Sequence, residues 1–169
     1  MSQRGYTLVE MLISIGLVAL LLLVIIETSL SVAKSHERAR DFLEVNSTAI
    51  GAFSRFSRDI RRATSVDVVN STLGASQGKL VLNMKKDDGS NDVTTFYLAE
   101  ERVKEEYNGT IVGDLTPGAM NVSNLTFRLF TVSSTTAMRI EMTVAPSASS
   151  TVPAVNFYST YVLRGSYTQ

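Results

Sequence analysis

The stretch from Met11 to Ile26, MLISIGLVALLLLVII, carries no charge, and only Ser14 and Gly16 interrupt its apolar side chains. Extended back to Tyr6 and forward to Ala33, it reaches the roughly 20 helical residues that cross a hydrocarbon core. A chain with such a segment must hide it in lipid or against other helices. A secretory signal peptide and an ordinary anchor both fit this much. Arg4 supplies a short basic region, and Ser31-Val32-Ala33 places small residues where a signal peptidase reads them. Glu10 fits neither. It sits at the start of the run, and a carboxylate within the bilayer costs about 2.5–3.5 kcal/mol on insertion scales.

Gly5-Tyr6-Thr7-Leu8-Val9-Glu10 offers a reason for that charge. The segment resembles the prepilin cleavage motif of the type IV pilin family: a glycine, an aromatic residue, Thr-Leu, and a glutamate fifth in the mature chain. The resemblance implies that a prepilin peptidase cuts between Gly5 and Tyr6 and methylates the new amine of Tyr6. Glu10 lies four residues beyond that amine and so on the same helix face. It also faces the positive end of the helix dipole. In a bundle its partner could be the amine of a neighbouring subunit, and losing one member of a buried pair leaves the other costly. The family assigns this glutamate to guiding assembly. Flanking charge does not fix orientation, since Arg4 precedes the span and Lys34, Arg38 and Arg40 follow it. The resemblance implies a cytoplasmic leader.

Beyond Ala33 the apolar pattern narrows to a stripe. Ala39, Phe42, Leu43, Asn46, Ala49, Ile50, Phe53, Phe56, Ile60 and Ala63 recur at steps of three and four, as on one face of an amphipathic helix. Neither Pro nor Gly falls between Gly16 and Gly51, so one helix from about Tyr6 to Ala63 is expected. Arg55, Arg58, Arg61 and Arg62 would form a basic ridge opposite Phe53, Phe56 and Ile60. The ridge reads as a solvated face with Asp59 pairing to Arg55 or Arg62, or as a set of contacts to neighbouring subunits. The Arg-Asp-Ile-Arg-Arg-Ala stretch at this distance from the cleavage site is similar to the minor pseudopilin J and minor pilin W families.

After Thr64 the period becomes two. Strands are expected over Gly78–Met84, Val93–Leu98, Glu101–Tyr107, Val122–Val132, Met138–Val144 and Phe157–Leu163. Breaks fall at Asp87-Asp88-Gly89-Ser90-Asn91, Asn108-Gly109, Thr116-Pro117-Gly118 and Ala145–Pro153. A helix followed by strands argues an α+β fold with an antiparallel sheet laid on the helix, the order that the pilin resemblance also implies.

Composition excludes more than it suggests. The 169 residues hold no cysteine, and 16 basic residues balance 16 acidic ones. There is no disulfide framework and no thiolate chemistry. Four arginines in a neutral chain make no footprint for nucleic acid, which is not an expected partner. His36, the only histidine, reads as a solvated residue. Asp87, Asp88, Asn91 and Asp92 crowd a turn, but their spacing is not that of an EF-hand and Lys85 and Lys86 oppose a cation. Glu100, Glu101, Glu105 and Glu106 read as charges on a strand's solvent face or edge rather than as paired hydrolytic carboxylates. No phosphate loop and no nucleophile elbow occurs.

The expected organisation is therefore a leader at 1–5, a transmembrane assembly helix at 6–33, its amphipathic continuation at 34–64 and a β-rich head at 65–169. The expected function is a structural minor pilin or pseudopilin of a type II secretion, type IV pilus or competence filament, not an enzyme, with no cofactor and no metal. Its expected partners are prepilin peptidase, other pilins or pseudopilins, an inner-membrane assembly platform and membrane lipid. Its place is the inner membrane with the head outside, then an extracytoplasmic filament. A secreted or periplasmic binding module behind a cleaved signal peptide is the alternative.

Overall fold

The computed structural model describes residues 7–85, 89–132, 135–147 and 152–163. A 55-residue helix, α1 (Leu8–Arg62), opens the chain. Eight strands follow: β1 (Ser65–Val66), β2 (Lys79–Lys85), β3 (Asn91–Ala99), β4 (Arg102–Tyr107), β5 (Thr110–Asp114), β6 (Met120–Val132), β7 (Thr135–Pro146) and β8 (Val155–Val162). The fold is α+β, a long N-terminal helix and an antiparallel β head. Contacts divide it into two compact units, Met1–Arg40 and Asp41–Gln169.

In the first unit, every described residue is exposed. This half of α1 is long and apolar enough to cross a membrane. Backbone groups are satisfied within a helix, which is what hydrocarbon requires. Its Thr28 satisfies its own hydroxyl by donating to the Val24 carbonyl at 2.7 Å.

In the second unit the remaining turns of α1 bury Val45, Thr48, Ala49, Ala52, Phe56, Asp59 and Ile60. The covered stripe thus begins at Val45, not Ala39. Phe42, Leu43 and Ile50, expected on it, are 49%, 67% and 68% exposed. Val45 and Ala52 take their place, because strands cover an arc of the helix rotated from the one that large apolar residues mark. Arg61 and Arg62 stand in the last turn, where cations favour the helix dipole.

The head carries two antiparallel sheets rather than one. The first runs β1-β2-β3-β4-β5 and the second β6-β7-β8. All six expected strands form. The short β1 and the edge strand β5 were not expected; a two-residue strand leaves no period to read, and β5 is only Thr-Ile-Val-Gly-Asp. The β4–β5 turn is Asn108-Gly109 with φ of 49° and 80°, the paired left-handed conformation of a tight hairpin. The loop before β2 joins the sheets: Gly78 N–H donates to Leu125 O at 2.7 Å, and Leu125 N–H to Ser76 O at 2.8 Å. A Cβ on Gly78 would lie 2.7 Å from Leu125 O, so only glycine fits this approach.

Phe56 is fully buried at the centre of the core. It meets Phe96 of β3 edge-to-face at 5.0 Å and Phe127 of β6 at 5.9 Å, a preferred aromatic geometry. One helix side chain therefore binds both sheets.

Candidate functional site

Gly5 and Tyr6 lie outside the described residues. Thr7 sits just before the first helical residue, Leu8. Its hydroxyl accepts the Glu10 N–H at 3.3 Å, and its carbonyl accepts the Met11 N–H at 3.2 Å. Thr7 is thus the N-cap and Glu10 the third helical residue, the Thr-x-x-Glu spacing of a capping box. The same tetrapeptide that marks a cleavage motif also starts the helix. Glu10 is exposed in the first turn, where a carboxylate is favoured by the dipole and free to meet a second group.

The arginines separate into two groups. Arg55 turns to the head, where its guanidinium grips both carboxylate oxygens of Glu105 on β4, with Nε donating to Oε2 at 2.9 Å. Glu105 is 3% exposed and Asp59 4%. The expectation of Glu105 as a solvated edge charge is therefore corrected: Arg55 gives it a cation that the strand pattern alone could not reveal. Arg55 Nε also lies 3.2 Å from Asp59 Oδ2. Its single hydrogen already goes to Glu105, so this oxygen has attraction without a hydrogen bond. Burial pushes the Asp59 carboxyl above its ordinary range, against the opposing pull of Arg55. The Glu105 hydrogen bond holds the Arg55 pKa up. This cluster ties helix to sheet. Arg58, Arg61 and Arg62 are exposed on the helix, although Arg58 Nε still lies 3.6 Å from Asp59 Oδ1.

The acidic turn is also changed. Asp87 and Asp88 lie outside the described residues, and Asn91 opens β3. Asp92 is buried and accepts hydrogen bonds from the Tyr107 hydroxyl and from Asn108 Nδ2, the latter at 2.9 Å. It pins a hairpin rather than facing water. Among the described residues no group of three or more His, Cys, Asp or Glu side chains could hold a metal ion. His36 is exposed.

Residues 1–26 match the model of the prokaryotic N-terminal methylation motif. The chain carries a prepilin-type N-terminus. With the exposed apolar helix behind it, this supports a membrane-anchored, type IV pilin-like protein processed by prepilin peptidase. No curated protein and no solved structure matches the chain.

Proposed function

We propose that the chain is a structural minor pilin or pseudopilin, cut between Gly5 and Tyr6, methylated on Tyr6 and drawn into a filament through Glu10. The observation that carries this is the coincidence of the methylation motif over residues 1–26 with a capped helix start at Thr7 and a wholly exposed apolar segment. The cut would leave a cationic amine one turn from Glu10, and each would lower the other's burial cost in a helical bundle. Leader 1–5, anchor 6–33, amphipathic segment 34–64 and head 65–169 then take the roles of address, insertion, support and exposed surface.

The similarity around Arg58-Asp59-Ile60-Arg61-Arg62-Ala63 favours a minor subunit of the pseudopilin J or pilin W type. Such a subunit would serve a secretion, pilus or competence filament, with its head outside the inner membrane. Arg61 and Arg62 would face neighbouring subunits, as would Arg58 beyond its pairing with Asp59. Arg55 would contribute through the head it stabilises.

Signal peptidase cleavage after Ala33 would have to cut inside α1, which runs unbroken from Leu8 to Arg62. Mass spectrometry of the mature N-terminus tests the proposal. Methylated Tyr6 is expected; a start at Lys34 would replace it with the secreted-module reading. Glu10→Ala should mature normally yet crosslink to its filament partners at least tenfold less, since losing a buried partner costs about 3–5 kcal/mol. Equal crosslinking would remove Glu10 from assembly while leaving the processing intact.

A further inference from the structure

Sheet edges present unpaired backbone groups, and proteins usually blunt them with short strands, bulges, charges or covering segments. Three of the four edges in this head are treated in that way. β1 has two residues. β5 has a register shift against β4 that leaves Val112 without a cross-strand partner. The outer edge of β6 is covered: Gly74 N–H reaches Phe127 O, Gly78 N–H reaches Leu125 O, and Val122 N–H reaches Glu101 O, at 2.7–2.8 Å.

β8 is different. Its sequence, Val-Asn-Phe-Tyr-Ser-Thr-Tyr-Val, contains no charge, proline or glycine. It pairs with β7 without a register shift from Val155 to Val162. Among the described residues its other edge has no strand beside it. Next to that edge an open groove of about 560 Å³ runs between β8 and α1. Ile50, Phe53, Phe157 and Tyr161 make it apolar, and Arg58 and Arg61 make it cationic. The Tyr161 hydroxyl donates to Phe53 O at 3.2 Å, which fixes the groove's floor. Tyr158, also in the lining, is 59% exposed with Arg139 over its ring at 5.5 Å, and Arg139 shares Glu141 with Arg128, each at 3.1 Å. The groove lining holds Arg58 and Arg61 and no carboxylate; the nearest, Asp59, is buried and lies 3.6 Å from Arg58 Nε.

We propose that β8 is a docking edge for an extended, acidic segment of a different protein chain, which adds as a fourth strand of the β6-β7-β8 sheet. Backbone pairing along β8 would supply affinity. Alternate side chains would enter the groove, apolar ones against Ile50 and Phe53 and a carboxylate toward Arg58 and Arg61. Charge selects against a second copy. Two β8 edges paired antiparallel would bring both sets of arginines to one continuous groove, and like charges juxtaposed at an interface are costly. The inference stands on the head and does not depend on the N-terminal processing.

The test uses the detergent-solubilised full chain and two synthetic eight-residue peptides, Val-Thr-Glu-Thr repeated twice or Val-Thr-Lys-Thr repeated twice, which place Val and the charged residue on one strand face. Fluorescence anisotropy should give at least tenfold tighter binding for the Glu peptide. Hydrogen exchange should slow at β8 amides and not at β5 amides. Arg58→Glu with Arg61→Glu should reverse the peptide preference. Equal binding of both peptides, or no protection in β8, would overturn the proposal. So would a disulfide-linked homodimer of Thr160→Cys, since the chain has no other cysteine and that product would mean β8 pairs with itself.

Discussion

One helix passes through two kinds of surroundings. From Leu8 to Val32 its large apolar residues are all between 51% and 79% exposed. From Val45 to Ile60 residues of similar or lesser apolarity, including Ala49 and Ala52, are fully buried. Apolar content is thus greatest where protein burial is least. The head half needs one covering layer, which two sheets supply through Phe96 and Phe127. The anchor half is apolar all round, and no single face packed on a sheet could hide it. Its stability comes from lipid or from other helices, so substitutions in the two halves should read out in different experiments.

The sharpest separation is Phe56→Ala against Leu21→Ala. The first removes the ring that meets both sheets and should lower head stability by about 3–5 kcal/mol, measured by denaturant unfolding of the solubilised chain. The second should leave that transition where it is. A comparable shift from Leu21→Ala would mean that the anchor contributes to the head's cooperative unit.

Glu105→Ala should come next. It leaves Arg55 partly buried without its main partner, a loss of up to about 3–5 kcal/mol and more toward the low end because Arg55 is itself one-third exposed. Replacing the pair together, as Arg55→Met with Glu105→Leu in an Asp59→Asn background, should recover most of it, since a charged Asp59 would otherwise lose the pull of Arg55. A double variant as unstable as the single one would point to the packing of β4 rather than to the ion pair.

Thr7→Ala should cost about 1 kcal/mol, the usual value of an N-cap. The loss should stay local: hydrogen exchange should quicken over Leu8 to Met11 while the head's melt is unchanged. Faster exchange in the head would contradict the independence of the two units.

The smallest effect belongs to Asp59. Burial raises its folded carboxyl above the unfolded value of about 3.9. The folded state then holds the proton more tightly. Its contribution to stability is fully present below the unfolded value and is lost as pH rises through the raised folded value. Asp67 is shifted the opposite way by hydrogen bonds from Asn70, so the comparison must be wild type against Asp59→Asn. The variant should gain relative to wild type as pH rises from 4 to 7. A constant difference across that range would mean that Asp59 does not titrate there.

Much of this was legible in the residues. The charge-free run defined the anchor, and period-two patterning located six strands. The methylation match fell on the segment carrying Gly5, Tyr6 and Glu10. The Thr7-x-x-Glu10 cap could have been read from spacing alone, but its place inside a processing motif drew attention to a different role. Glu105 could not have been read so. On β4 it alternates like a surface charge, and only the approach of Arg55, fifty residues earlier, makes it an interior residue.

The sequence by itself determined that the first half of α1 needs an apolar medium and that the rest is a helix followed by strands. Those properties are local: they depend on which side chains follow one another and at what period. Tertiary structure alone decided that the head divides into two sheets, that Val45 and Ala52 are buried while Leu43 and Ile50 are not, and that β8 is left as the unblunted edge. Burial and edge exposure depend on which elements lie beside a residue in space, and distant segments supply those neighbours without leaving a mark on the local pattern.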